Sequence, residues 1–192
     1  RMNVKAAPIP EWLRNVIVLL VATACVIAAV IAVDQVRHRD VPGSLTSTVR
    51  GTGVEVGSPA PSFTATDLDG MPFDFDERGG RPAWLVFNAT WCTACRIEAP
   101  DIQALHEEFG DEVTIIGVYV DDSTEGVREW GRTLGLTYTQ IADADSSIGQ
   151  AYDVLGLPAH VFVDAQGMVA SVSTGVLSPE QMRDKLEEIG VG

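Results

Sequence analysis

The chain predicts an α/β domain, a sheet covered on both faces, preceded by an N-terminal hairpin extension and an N-terminal transmembrane helix. Three observations carry this. From residue 83 onward, short apolar runs rich in strand formers alternate with stretches whose apolar residues recur at helical spacing, and the series closes on a hairpin and a helix. Cys92-Thr93-Ala94-Cys95 lies at the junction of one strand-like and one helix-like run. Residues 16–33 carry no charge and as a helix would be about 27 Å long, close to the hydrocarbon thickness of a bilayer.

The apolar run is flanked at its start by Trp12 and Arg14, as interfacial anchors are. Its main rival reading is a cleaved signal peptide, but Asp34-Gln35-Val36-Arg37 lacks the small residues of a cleavage site. Ala22-Thr23-Ala24-Cys25 departs from a lipoprotein box at Ala22, where leucine is usual, and the run continues past Cys25. The expected organisation is a short cytoplasmic N-terminus (1–15), an uncleaved anchor (16–33), a flexible tether (34–55) and a catalytic domain (56–192). Arg1, Lys5 and Arg14 before the span outnumber Arg37 and Arg39 after it, which favours a cytoplasmic N-terminus by a narrow margin. Dithiol–disulfide traffic is routine outside the cytoplasm, which argues for a single-pass cell-membrane protein with its catalytic domain on the extracytoplasmic side.

The tether is polar and turn-rich, with Pro42-Gly43-Ser44 and Gly51-Thr52-Gly53. Residues 62–66 and 72–75, joined by Asp67-Leu68-Asp69-Gly70, read as a hairpin. The first central strand is 83–88, and the helix that follows runs to Phe109. Residues 113–120 form a nearly continuous apolar strand, which suggests burial on both faces. Asp122 or Ser123 caps a helix to Leu134, and a short helix spans 146–152. Pro158 opens a strand over 159–164, Gln166-Gly167 turns the chain, and 168–174 returns. Ser178-Pro179-Glu180-Gln181 supplies an N-cap, a proline in the first turn and a capping-box partner for a last helix to Ile189.

With 13 Lys and Arg against 27 Asp and Glu, the net charge is −14, the wrong sign for a nucleic-acid binder. Cysteines three apart at a helix start lie within one turn, in reach of a disulfide. The unpaired N–H groups and positive dipole end there favour a thiolate on Cys92. The pair is therefore a reversible two-electron switch. A zinc site would need a second CxxC or a Cys/His pair at ligand spacing, and only three cysteines exist. A purely structural bridge over so short a loop would remove little unfolded-state entropy. Cys25, inside the anchor, is read as an inert small hydrophobe.

Several motifs together resemble a family. Trp91-Cys92-Thr93-Ala94-Cys95, Pro100, and Gly156-Leu157-Pro158 before a strand resemble the thioredoxin fold, with its central mixed β-sheet flanked by helices. Four further motifs are similar to the membrane-anchored thioredoxin-like oxidoreductases of the TlpA and ResA group. They are Gly57-Ser58-Pro59-Ala60-Pro61-Ser62-Phe63, residues 86–92, Ala151-Tyr152-Asp153-Val154, and residues 161–167.

The resemblance implies that an exposed Cys92 attacks a substrate disulfide and a more buried Cys95 resolves the intermediate. It implies a cis peptide before Pro158, which sits opposite Cys92, with Trp91, Leu157 and Pro158 as substrate-binding residues and Trp91 also covering the disulfide. Thioredoxins usually carry a buried aspartate where Val86 stands, whereas the resembling group often places a glutamate at the position of Glu98. Periodicity agrees: Cys95, Glu98, Ile102, Leu105 and Phe109 form one helical stripe. A carboxylate there costs several kcal/mol unless it is paired or keeps its proton. Proton exchange with Cys95, or tuning of the pKa values of the cysteine pair, is the implied role of Glu98, which makes it the third catalytic candidate. His160 departs from the group, which usually has threonine or a small residue there; it could influence the thiolate pKa or touch substrate, and the favoured reading is a histidine at a strand edge.

The resemblance further implies a reductant of apocytochrome c or similar cysteine pairs, fed by a transmembrane thiol electron donor. No cofactor or metal is called for. The alternatives are a disulfide-forming oxidant, a thiol peroxidase and a copper(I) carrier using Cys92, Cys95 and His160. A peroxidase typically has threonine where Ala89 stands, with Thr90 here one place off.

Overall fold

The computed structural model describes Leu20, Ala22, Thr23, residues 48–50 and residues 54–192. The chain divides into two compact units, Arg1–Ser44 and Leu45–Gly192. In the first, Leu20, Ala22 and Thr23 are helical and exposed. The rest of the expected anchor, 16–33, lies outside the described residues. Among those described, no helix is long and apolar enough to cross a membrane.

The second unit holds two sheets. Three antiparallel strands, β1 (Thr48–Arg50), β2 (Ser62–Thr66) and β3 (Pro72–Asp74), form the smaller one, in the order β1-β2-β3. The larger contains β4 (Ala83–Asn88), β5 (Thr114–Val120), β6 (Thr139–Asp143), β7 (Ala159–Val163) and β8 (Val169–Thr174), ordered β6-β5-β4-β7-β8. Strands β4, β5 and β6 are parallel, while β7 lies antiparallel to both β4 and β8. Four α-helices complete it: α1 (Thr93–Phe109), α2 (Thr124–Leu134), α3 (Ser147–Ala151) and α4 (Pro179–Glu188). This is the mixed sheet of a thioredoxin fold.

Strand alternation sorts the core into two layers. Trp84, Val86, Tyr119 and Phe162 face α1, α2 and α4, where Ile102, Trp130 and Met182 meet them. Leu85, Phe87, Val118 and Val161 face the other way, onto Phe63 and Phe75 of the hairpin region and onto Ile148 of α3. The expected helix-covered sheet is thus asymmetric: the small sheet covers much of the second face.

Two of the family-like motifs prove to be staples for this cover. The Gly57 and Ala60 N–H groups donate to Val169 and Gly167 carbonyls, and the Tyr152 hydroxyl donates to Pro61 O at 2.6 Å. They seat the hairpin on the sheet and the turn after β7.

Two expectations need correction. Thr48–Arg50 falls inside the expected tether, yet it pairs with β2, because an open antiparallel edge recruits a short strand-forming triplet. Thr139–Asp143 was not anticipated as a strand. It is short and partly polar, and the parallel edge of β5 selects it. Of the two offered caps, Ser123 serves α2, accepting from Gly126 N–H at 3.2 Å, which leaves Asp122 free for another task.

Candidate active site

The site is assembled where β4 ends and α1 begins. Cys92 is the N-cap of α1, with extended backbone, and its Sγ accepts from the Cys95 N–H at 3.2 Å. A sulfur in the cap position meets the orphan N–H groups of the first turn, where negative charge is favoured. Cys92 and Cys95 are joined in a disulfide, with a Cα–Cα distance of 5.3 Å. Cys95 is 1% exposed and Cys92 8%, so Cys92 is the more accessible sulfur without being as open as expected. The closed ring and the Ala89 and Leu157 side chains packed around it account for the difference.

Two loops hold the helix tip. Asp122, at the end of β5, accepts from Thr90 N–H at 2.6 Å and from Thr90 Oγ1 at 2.7 Å. This ties the segment before Trp91 and Cys92 to the sheet. Sequence reasoning missed the clamp, since nothing local joins residues 90 and 122. The Leu157–Pro158 peptide bond is cis, as implied, and Leu157 packs on the Cys92–Cys95 cluster. Pro158 is buried, its carbonyl accepting from Gly175 N–H at 2.8 Å. Trp91 stands 69% exposed beside the pair. Pro100 lies within α1, where it removes one intrahelical hydrogen bond.

Beneath the disulfide, the expected stripe points inward. Glu98 is fully buried, not solvated. Its Oε2 lies 3.4 Å from His160 Nε2 and accepts from Leu177 N–H at 3.4 Å, whereas Oε1 has no partner. His160 corrects its sequence reading. Strand β7 lies between β4 and β8, so His160 is interior: fully buried, opposite Val86 in register, and ring-packed with Trp84 and Phe162. It therefore cannot touch substrate. Nearby, burial pushes the Tyr119 hydroxyl up to about 12 and Tyr138 well above the ordinary tyrosine value, with the Glu98 charge adding to the latter shift. Among the described residues, no group of three or more His, Cys, Asp or Glu side chains is disposed to hold a metal ion.

A disulfide at the tip of the helix after a central strand, with a cis-proline loop packed against it, defines a thiol–disulfide oxidoreductase of the thioredoxin-like class. The chain belongs to the AhpC/TSA family, which it matches over residues 56–172. It is 32% identical over 139 residues to the thiol-disulfide oxidoreductase ResA of Geobacillus thermodenitrificans, covering 72% of this chain and 80% of that one. Among solved structures it is similar to MTB dsbF, in mixed oxidised and reduced forms, at 34% identity and a TM-score of 0.62, covering 66% of this chain and 94% of that one. A secreted Mycobacterium tuberculosis disulfide oxidoreductase homologous to E. coli DsbE matches at 30% identity and a TM-score of 0.60, covering 65% and 94%.

Proposed function

We propose that this chain is an extracytoplasmic oxidoreductase that reduces disulfides in protein cysteine pairs, with apocytochrome c as the substrate class, held to the cell membrane by residues 16–33. The carrying observation is the Cys92–Cys95 disulfide at the tip of α1, with the cis Leu157–Pro158 loop packed on it. Cys92, in the cap position and the more accessible of the two, is the nucleophile, and Cys95 is the resolving thiol. An extended substrate segment lies along the Leu157–Pro158 backbone, with Trp91 offering exposed apolar surface beside it. The reductant direction rests on the likeness to the ResA group, and it calls for a transmembrane thiol donor that reopens the disulfide after each turnover.

Each cycle is two exchanges. The Cys92 thiolate attacks a substrate disulfide, and one substrate sulfur leaves with its electron pair. Cys95 then attacks Cys92 Sγ, closing the ring and releasing the second substrate sulfur. The substrate gains two electrons and the enzyme pair loses two.

Trapping tests this reading. Cys95→Ser in the full chain is expected to stall the mixed disulfide on Cys92 and to retain apocytochrome c or another exported protein with a cysteine pair. If only Cys92→Ser traps partners, the nucleophile is Cys95. If the trapped proteins lack cysteine pairs, the substrate class is wrong.

A further inference from the structure

Oxidation of the enzyme needs the buried Cys95 thiol to lose a proton, and the layout of Glu98 and His160 bears on how. Glu98 and His160 are both fully buried. His160 Nε2 lies 3.3 Å from the Gly175 carbonyl, which can only accept, so the ring proton sits on Nε2. The same N–H faces Glu98 Oε2 at 3.4 Å, and Leu177 N–H donates to that oxygen from the loop between β8 and α4. His160 Nδ1 is buried without a hydrogen-bond partner among the described residues. The carboxylate is thus held through one oxygen, while Oε1 stays bare and buried, on the stripe that carries Cys95 one turn earlier.

We propose that His160 is a positioning residue for the second thiol: its Nε2–H, with Leu177 N–H, fixes Oε2 of Glu98 so that Oε1 accepts the Cys95 proton. The inference deepens the oxidoreductase reading above and rests on it. The proton passes from Cys95 Sγ to Oε1. The sulfur then bonds to Cys92 Sγ as the bond from Cys92 to the substrate sulfur breaks, and that sulfur leaves with the electron pair and takes a proton from water. When the donor reopens the pair, Glu98 returns its proton to Cys95. The resemblance assigns no such task to position 160, where the group usually has threonine or a small residue.

The other titratable groups around this pair do not compete. Tyr138 and Tyr119 are driven upward by burial and stay protonated. Trp84 and Phe162, which pack on the imidazole, do not titrate. Among the described residues, His160 is the one basic side chain within ion-pair distance of Glu98.

The test is a single turnover of the reduced full-length protein with excess oxidised glutathione, acid-quenched, with the glutathione adduct and the closed disulfide separated by mass. His160→Leu is expected to leave adduct formation unchanged and to slow closure on the order of 10²-fold, displacing its pH profile upward. His160→Gln, which keeps a neutral donor, should restore most of the closure rate. In a Glu98→Gln background, His160→Leu should add nothing. Closure by His160→Leu at the parent rate overturns the proposal. So does the same slowing in the Glu98→Gln background, or a glutamine variant as slow as the leucine one.

Should His160→Leu not fold, the imidazole ¹⁵N resonances of the parent protein decide. An Nε2-protonated ring that shifts between dithiol and disulfide, with the shift lost in Glu98→Gln, supports the proposal; a ring insensitive to redox state overturns it. Partner trapping by Cys95→Ser is independent of all these outcomes, so this inference can fail while the oxidoreductase reading stands.

Discussion

Two buried carboxylates sit on strands and helices that meet the central sheet, and the structure treats them in opposite ways. Asp143, 2% exposed at the end of β6, has both oxygens occupied. Oδ1 accepts from Ile148 N–H at 3.1 Å and Oδ2 from Gly149 N–H at 2.8 Å. It does the capping of α3 from upstream, since Ser146 makes no side-chain cap bond. Glu98 is as deeply buried, yet it has two long contacts on one oxygen and none on the other. A carboxylate that serves the fold is saturated by rigid backbone donors. On the role proposed above, a carboxylate that takes and returns a proton keeps a lone pair unspent, at a cost the fold bears elsewhere.

The largest effect expected from breaking this contrast is on stability. Asp143→Ala strands two buried N–H groups and should cost about 1–3 kcal/mol in urea unfolding, without moving the pH profile of disulfide exchange. The same residue gives a pH signature. Burial pushes the Asp143 carboxyl above its usual range, outweighing the N–H groups that favour its charge. The folded state therefore holds this proton more tightly than the unfolded chain. The stability it contributes is full below the ordinary aspartate value near 3.9 and is lost as pH rises through the raised one. Asp143→Asn should flatten that slope, and an unchanged slope would show that another group produces it.

Glu98→Gln should do the reverse: little change in the urea midpoint, but a displaced pH dependence of thiol reactivity in the reduced protein. An unaltered profile would put Glu98 in the same structural class as Asp143 and remove the contrast.

The smallest effect is expected at Glu108, whose carboxylate meets the Arg183 guanidinium across α1 and α4. The Arg183 hydrogen bond holds this carboxyl below its usual range, so its contribution is present above that range and is lost as pH falls. The pair is half-exposed, so Glu108→Gln should give a slight change that vanishes in high salt. A large, salt-insensitive change would mean that surface pairs here rival buried ones.

Much of this was legible from local pattern. The β4 bounds, the caps at Ser123 and Ser178, and the placement of Cys92 at a helix start all follow from signals a few residues long. Glu98 was flagged by its own periodicity, because a carboxylate on an apolar stripe is visible within one helix. His160 was not. Its burial depends on β7 lying between β4 and β8, which residues 159–163 do not reveal. The clamp made by Asp122 was hidden for a related reason: its partner, Thr90, is 32 residues away. Residues 139–143 escaped notice because an edge strand draws its pairing from its neighbour more than from its own composition.

By itself, the order of residues determined that two sulfurs share one helical turn at a strand end, and that an acid shares their buried side. Those relations span less than two turns and obey the helix period. Only tertiary packing decided that this acid meets an imidazole 62 positions further on, with one oxygen held and the other bare. That meeting depends on strand order and on how α1 settles across β7, and no short-range periodicity encodes either.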